Sequence, residues 1–262
     1  MPRLKIARAY FRLIETMTRS LFSAMAMRKL LWTSLLSACV LAPAPALCAA
    51  LAPNGDWASY RDAYRAMVIF EKYGKPKSLL QHQIQVLPRD KAGTMEGLRL
   101  VLNGQGSQLN LPLDASGRTV FPLLKAAYDD NAELALNRSV GPFKLRARVS
   151  LAVRADGIYE LAELRGGCEQ ALAYARYLDT TFAKRNCVGV RFAYGRAAPL
   201  PVLAVKRVQP GEAGELPVAE GALFDDAAGD TFNVVNLRFG SYSAQGQVSS
   251  KDAPLAIVPL FE

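Results

Sequence analysis

Lys144, Arg146 and Arg148 stand at every second position of the stretch FKLRARVS. A strand turns alternate side chains to opposite faces. The spacing therefore lines three cations along one side, while Phe143, Leu145, Ala147, Val149, Leu151 and Val153 take the other. Such a row can hold an anionic partner, either an envelope component such as peptidoglycan or lipopolysaccharide, or a protein. It can equally be a solvated strand face, or an edge that charge protects against aggregation. No aromatic residues alternate with the cations, as stacking on single-stranded nucleic acid would require, so nucleic acid is not the expected partner.

Cys168 and Cys187 are the other residues with distinct chemistry. They are not spaced as a C-x-x-C redox pair, and no second pair completes a zinc site, so a structural disulfide is the expectation. An unbroken helix from Cys168 to Asn186 would hold the two about 27 Å apart at roughly 1.5 Å per residue, which no disulfide spans. Leu161, Leu164, Cys168, Leu172 and Ala175 follow helical spacing, however, which places Cys168 on the apolar face of a helix from about Tyr159 to Tyr177. Leu178 to Asn186 can then turn back, and Cys187 opens the strand CVGVRFAY beside that helix. Gly166 and Gly167 inside the helix imply a kink, a late helix start or a close approach to a sheet.

The remaining candidates carry little. His82 is the sole histidine of the 262 residues and has no Ser or Cys pattern around it, so it reads as a polar strand residue. Asp225, Asp226 and Asp230 form a weak candidate cation site without a full calcium loop. Glu160 and Glu163, three apart, read as a solvated helix face. Walker A, dinucleotide and G-x-S-x-G patterns are missing. No catalytic residue, cofactor or metal is therefore expected. A non-enzymatic binding or structural module is the leading expectation, and a hydrolase of an envelope substrate with a dispersed carboxylate site is the alternative.

The formal charge of +9 comes largely from the start of the chain. Seven Lys/Arg stand against Glu15 alone in residues 1–49, leaving 25 basic and 22 acidic residues for the rest. From Met27, Arg28 and Lys29 form a positive n-region, Leu30 to Leu41 an apolar run, and Pro43 and Pro45 a break before small residues, the pattern of a signal peptide cleaved near Cys48 to Ala50. Met27 is a candidate start. Leu36-Ser37-Ala38-Cys39 resembles a lipobox, which makes a lipid anchor at Cys39 the alternative to a periplasmic or secreted product. The apolar run is too short and broken for a spanning helix, so membrane contact is expected only through this leader or a lipidated Cys39.

The elements that must position these residues follow in order. Asp56 is placed as N-cap of a helix from Trp57 to Lys72, whose apolar stripe is Trp57, Tyr60, Tyr64, Met67 and Val68. Strands follow around His82 to Val86, at Leu98 to Leu102 and at Gln108 to Leu113, the last two joined by an Asn103-Gly104 hairpin. Further strands are expected at 132–137, 143–154, 190–194, 202–208, 232–239 and 255–261, with loops at 209–222 and 240–251. The segment LPLDASGRTVFPL resembles the D-x-x-G-R-x-x-x-P loop of prealbumin-like and other immunoglobulin-like sandwiches. The expected architecture is α+β, an antiparallel sandwich-like sheet carrying an N-terminal helix and a central, disulfide-stapled helix. Residues 1–49 are the targeting segment, 50–208 the main domain, and 209–262 a C-terminal strand-and-loop extension packed on it.

FPLLKAAYDDNAELALN, VRADGIYE, CEQALAY, CVGVRF and APLAIVPLFE are similar to a family of uncharacterised exported bacterial proteins, across most of the chain after the leader. The resemblance implies export to the cell envelope. It implies no activity and transfers no site residues.

Overall fold

The computed structural model describes residues 56–89, 95–196, 200–206, 214–226, 231–242 and 245–262. The leader with Met27 and Cys39, and also Asp230, lie outside the described residues. Ala50–Glu262 forms one compact unit. It is a mostly antiparallel β structure with few helices, of α+β type.

The described residues build three sheets. The largest has seven strands and contains β2 (Leu80–Pro88), β5 (Arg118–Thr119), β7 (Phe143–Leu151), β9 (Cys187–Tyr194), β12 (Ala219–Gly221), β13 (Phe232–Arg238) and β15 (Ala256–Phe261) in the order β12-β13-β9-β15-β7-β2-β5. A four-stranded sheet joins β1 (Trp57–Ser59), β6 (Glu133–Leu136), β3 (Arg99–Asn103) and β4 (Gln108–Pro112), in the order β1-β6-β3-β4. Another joins β11 (Gly214–Glu215), β10 (Leu203–Lys206), β14 (Gln247–Ser250) and β8 (Ile158–Glu160). The stretches read as loops at 209–222 and 240–251 thus contribute β11, β12 and β14. Short strands of mixed polarity carry too little alternation to be read from sequence.

Among the described residues the α-helices are α1 (Tyr60–Lys72), the single-turn α2 (Lys125–Asp129) and α3 (Leu161–Leu178). Asp56 is not the N-cap of α1. Ser59 is: its hydroxyl accepts from the Asp62 amide, and Trp57–Ser59 pair with β6 as β1. Tyr60, Ala63 and Met67 of α1 share a core with Ile84 and Val86 of the large sheet and with Leu100, Leu102 and Leu134 of the β1–β6–β3–β4 sheet. The α3 residues Leu161, Leu164 and Cys168 pack on Val190, Phe192 and Ile257.

Gly167 accounts for how closely α3 sits. A Cβ there would lie 2.8 Å from Leu151 Cδ2, so the glycine permits close contact between helix and strand, and neither a kink nor a late helix start is needed. Cys168 and Cys187 face each other with Cα atoms 6.0 Å apart, the separation a disulfide needs, and Cys187 is the first residue of β9. Among the described residues no helix is long and apolar enough to cross a membrane.

Candidate functional site

The centre of the large sheet is split. β15 pairs along its length with β9, but with β7 only at Ile257↔Leu151. The reason lies in strand parity and one residue. The Ala152 amide donates to the Leu79 carbonyl at 2.9 Å, so alternation turns the backbone groups of Ser150, Arg148 and Arg146 toward β2 and those of Val149 and Ala147 toward β15. Two residues beyond Ile257, the position that would next donate to β7 is Pro259, which has no N–H. The ladder stops and the strands diverge.

A groove of about 600 Å³ occupies the split. From the helical side it is lined by Ile69, Ala171, Ala175 and Leu178, with His82 and Val149 from the strands. From the opposite side it is lined by Arg148, Phe224, Asp225, Asp226 and Val258, while Pro259 and Phe261 form the β15 wall. Alanines at 66, 147, 171 and 175 leave the space that larger side chains would fill. Ile69 and Leu178, 40% and 54% exposed, stand at its helical rim.

The three cations are not equivalent. Lys144 is exposed, and Arg146 is half exposed and paired with Asp226. Arg148, with a side chain 9% exposed, is buried in the groove wall and is not part of a solvated face. Its Nε donates to Gln85 Oε1 at 2.7 Å and its Nη1 to both Asp226 oxygens at 2.8 and 3.0 Å, with the guanidinium 4.2 Å over the Phe224 ring. Burial opposes its charge and the Asp226 carboxylate supports it. Its Nη2 is buried with no hydrogen-bond partner among the described residues. Alternation along β7 correctly separated the faces, but it carried no information about the 222–226 loop that covers one of them.

The carboxylates are engaged. Asp225 accepts from Arg191 at 3.3 Å, Asp226 from Arg146 and Arg148, and Asp179 from the Thr181 amide at 2.8 Å. Among the described residues no group of three His, Cys, Asp or Glu could hold a metal. Glu160 accepts from Gln247 and Glu163 pairs with Arg154 at 3.4 Å, both away from the groove. Cys168 and Cys187 also lie outside its lining.

His82 does belong to the groove, which its sequence context did not reveal. Its ring lies 4.6 Å from that of Phe70, and its Nε2 is buried without a partner among the described residues. Burial first, then the charge of Lys77, holds its pKa down at about 4. The folded chain thus resists protonating a group that the unfolded chain protonates near pH 6.5. The neutral ring's contribution is complete above pH 6.5 and is lost as pH falls toward 4, by about 3 kcal/mol at the low end. Denaturant titration at pH 7 and pH 4.5 should therefore give a steeper loss for the wild type than for His82→Gln, and parallel losses would contradict the burial argument.

Pro259 is the sequence signal for the split, because a proline inside an apolar strand marks a place where a ladder ends. Compared with known protein families, with curated proteins and with solved structures, the chain matches none.

Proposed function

We propose that this chain is an exported cell-envelope protein that works as a non-enzymatic binding module, and that its binding site is the groove in the split sheet. The observation that carries the reading is the groove itself: about 600 Å³, mainly apolar, with two buried polar groups, His82 Nε2 and Arg148 Nη2, that have no partner among the described residues. Small-molecule sites are concave and apolar, of roughly 300 to 1,000 Å³, with a few polar groups that fix orientation. A buried polar atom left unsatisfied costs about 1 to 3 kcal/mol, which a ligand can recover.

Export is supported by the leader of residues 1–49 and by the resemblance to exported bacterial proteins. In that oxidising setting the Cys168–Cys187 pair forms a disulfide that staples α3 to β9. The sandwich-like arrangement of the sheets, of the immunoglobulin or prealbumin kind, belongs to the same proposal and rests on the Asp114 to Arg118 loop. The hydrolase alternative is disfavoured because the three carboxylates lining the groove already accept from Thr181, Arg191 or the Arg146–Arg148 pair.

The test compares wild type with Ala175→Phe, which fills the groove from a half-buried helix position. Retention on isolated envelope material should fall about ten-fold or more for a variant whose thermal unfolding is unchanged. Equal retention would remove the groove as the site, and no retention of either protein would remove the binding reading.

A further inference from the structure

Arg146 and Arg148 share one carboxylate, that of Asp226. Arg191 is matched separately by Asp225, and Arg118 by Asp114. Among the described residues the two guanidiniums at the groove's edge are therefore one negative charge short, and Arg148 Nη2 is buried there without a partner. A monoanion balances that deficit.

Away from that end the lining is apolar except for His82 and for Asp179, whose carboxylate accepts from the Thr181 amide. Val149, Val258, Pro259, Phe261, Ala171 and Leu178 provide an apolar lining that begins on the Arg148 face of the sheet and ends at the helical rim. The lining residues come from both faces of the sheet, so the space passes through the slit between β7 and β15. An extended peptide fits it poorly. Strand addition needs a constant spacing of about 4.8 Å to each neighbour, whereas β7 and β15 meet at Ile257↔Leu151 and part from there, and Pro259 removes a donor.

We propose that the groove binds a single-chain anionic amphiphile, a long-chain fatty acid, with its carboxylate on the Arg148 and Arg146 guanidiniums beside Asp226 and its hydrocarbon tail running through the slit to Ile69 and Leu178. A guanidinium holds a carboxylate through paired N–H donors, and Nη2 is the Arg148 donor that no described residue uses. The proposal rests on the groove being the binding site and adds the ligand class.

Calorimetric titration of the purified chain with dodecanoate, dodecanol, dodecyl phosphate and dodecyltrimethylammonium tests it. Dodecanoate should bind about ten-fold or more tightly than dodecanol, the cation should not bind, and Ala175→Phe should abolish dodecanoate binding. Arg148→Gln, which keeps an amide for Gln85, should reduce dodecanoate affinity to that of the alcohol. Should that variant not fold, Arg146→Gln, at a half-exposed side chain, should still narrow the preference for acid over alcohol several-fold.

Equal affinity for acid and alcohol, or dodecanoate binding that survives Ala175→Phe, overturns the proposal. Tighter binding of the phosphate than of the carboxylate overturns the assigned head group. Envelope retention that depends on Ala175, with no dodecanoate binding, leaves the binding module standing and removes the fatty acid.

Discussion

Arg118→Ala is expected to destabilise the chain by about 3 to 5 kcal/mol, a large share of the roughly 5 to 15 kcal/mol that holds a typical domain folded. The Arg118 side chain is fully buried, at 0% exposure, while its partner Asp114 is 27% exposed. Its Nη2 donates to Asp114 Oδ2 at 2.9 Å and to the Leu255 carbonyl at 2.5 Å, and its Nε to Ser116 Oγ at 2.7 Å. Truncation strands all three acceptors and leaves a cavity. Arg118→Met keeps most of the stem volume, and Asp114 Oδ1 keeps the amides of Ser116 and residue 118, so about half the loss is expected. Guanidinium denaturation separates the variants, and equal losses would assign the energy to the ion pair and hydrogen bonds and not to packing of the stem.

The consequence reaches the groove. Leu255 immediately precedes β15, and Arg118 leads β5 at the far edge of the same sheet, so this side chain ties the β2–β5 edge to the entry of β15 across the underside of β7. β15 and β7 share a single ladder pair, so the tie substitutes for hydrogen bonds the split sheet lacks. Arg118→Met should therefore weaken ligand binding more than its stability loss accounts for.

Local signals were strong enough to be read from the chain. Tyr60 and Met67 of the α1 stripe, the helical face around Cys168, the Asn103-Gly104 hairpin between β3 and β4, and the start of β9 at Cys187 each follow from residues close in sequence, whereas Trp57, read into the same stripe, lies in β1 and is 45% exposed. Gly117, at φ +76°, sits in the turn that the Asp114-Ala115-Ser116-Gly117 run implied. What could not be read is non-local. Nothing near Ala256–Phe261 states that this terminal strand inserts between β9 and β7, since pairing depends on edges that form elsewhere. The same limit hid the site. Arg148 looked like Lys144 because both fall on the polar side of β7, and only the loop carrying Phe224 and Asp226 makes one buried and leaves the other exposed.

Removing the Cys168–Cys187 link, by reduction or by Cys168→Ala with Cys187→Ser, is expected to cost about 3 kcal/mol. The pair is 19 residues apart, and a closed loop of that size restricts the unfolded chain by roughly this amount. For a chain of this length Tm should fall by roughly 6 to 12 °C, read by calorimetry with and without reductant. An unchanged Tm would mean that the two thiols pack side by side without a bond. The site of loosening is also fixed by the geometry. Ala171, Ala175 and Leu178 line the groove from the part of α3 that follows Cys168, and Cys187 pairs across the ladder with Phe261, which lines it from β15. A disulfide here would therefore join the two walls of the groove near one end. Amide hydrogen exchange should rise first in α3 after Cys168 and in β15, while α1 and the β3–β4 hairpin stay protected. A uniform rise throughout the chain would instead mean that the link stabilises the fold without shaping the groove.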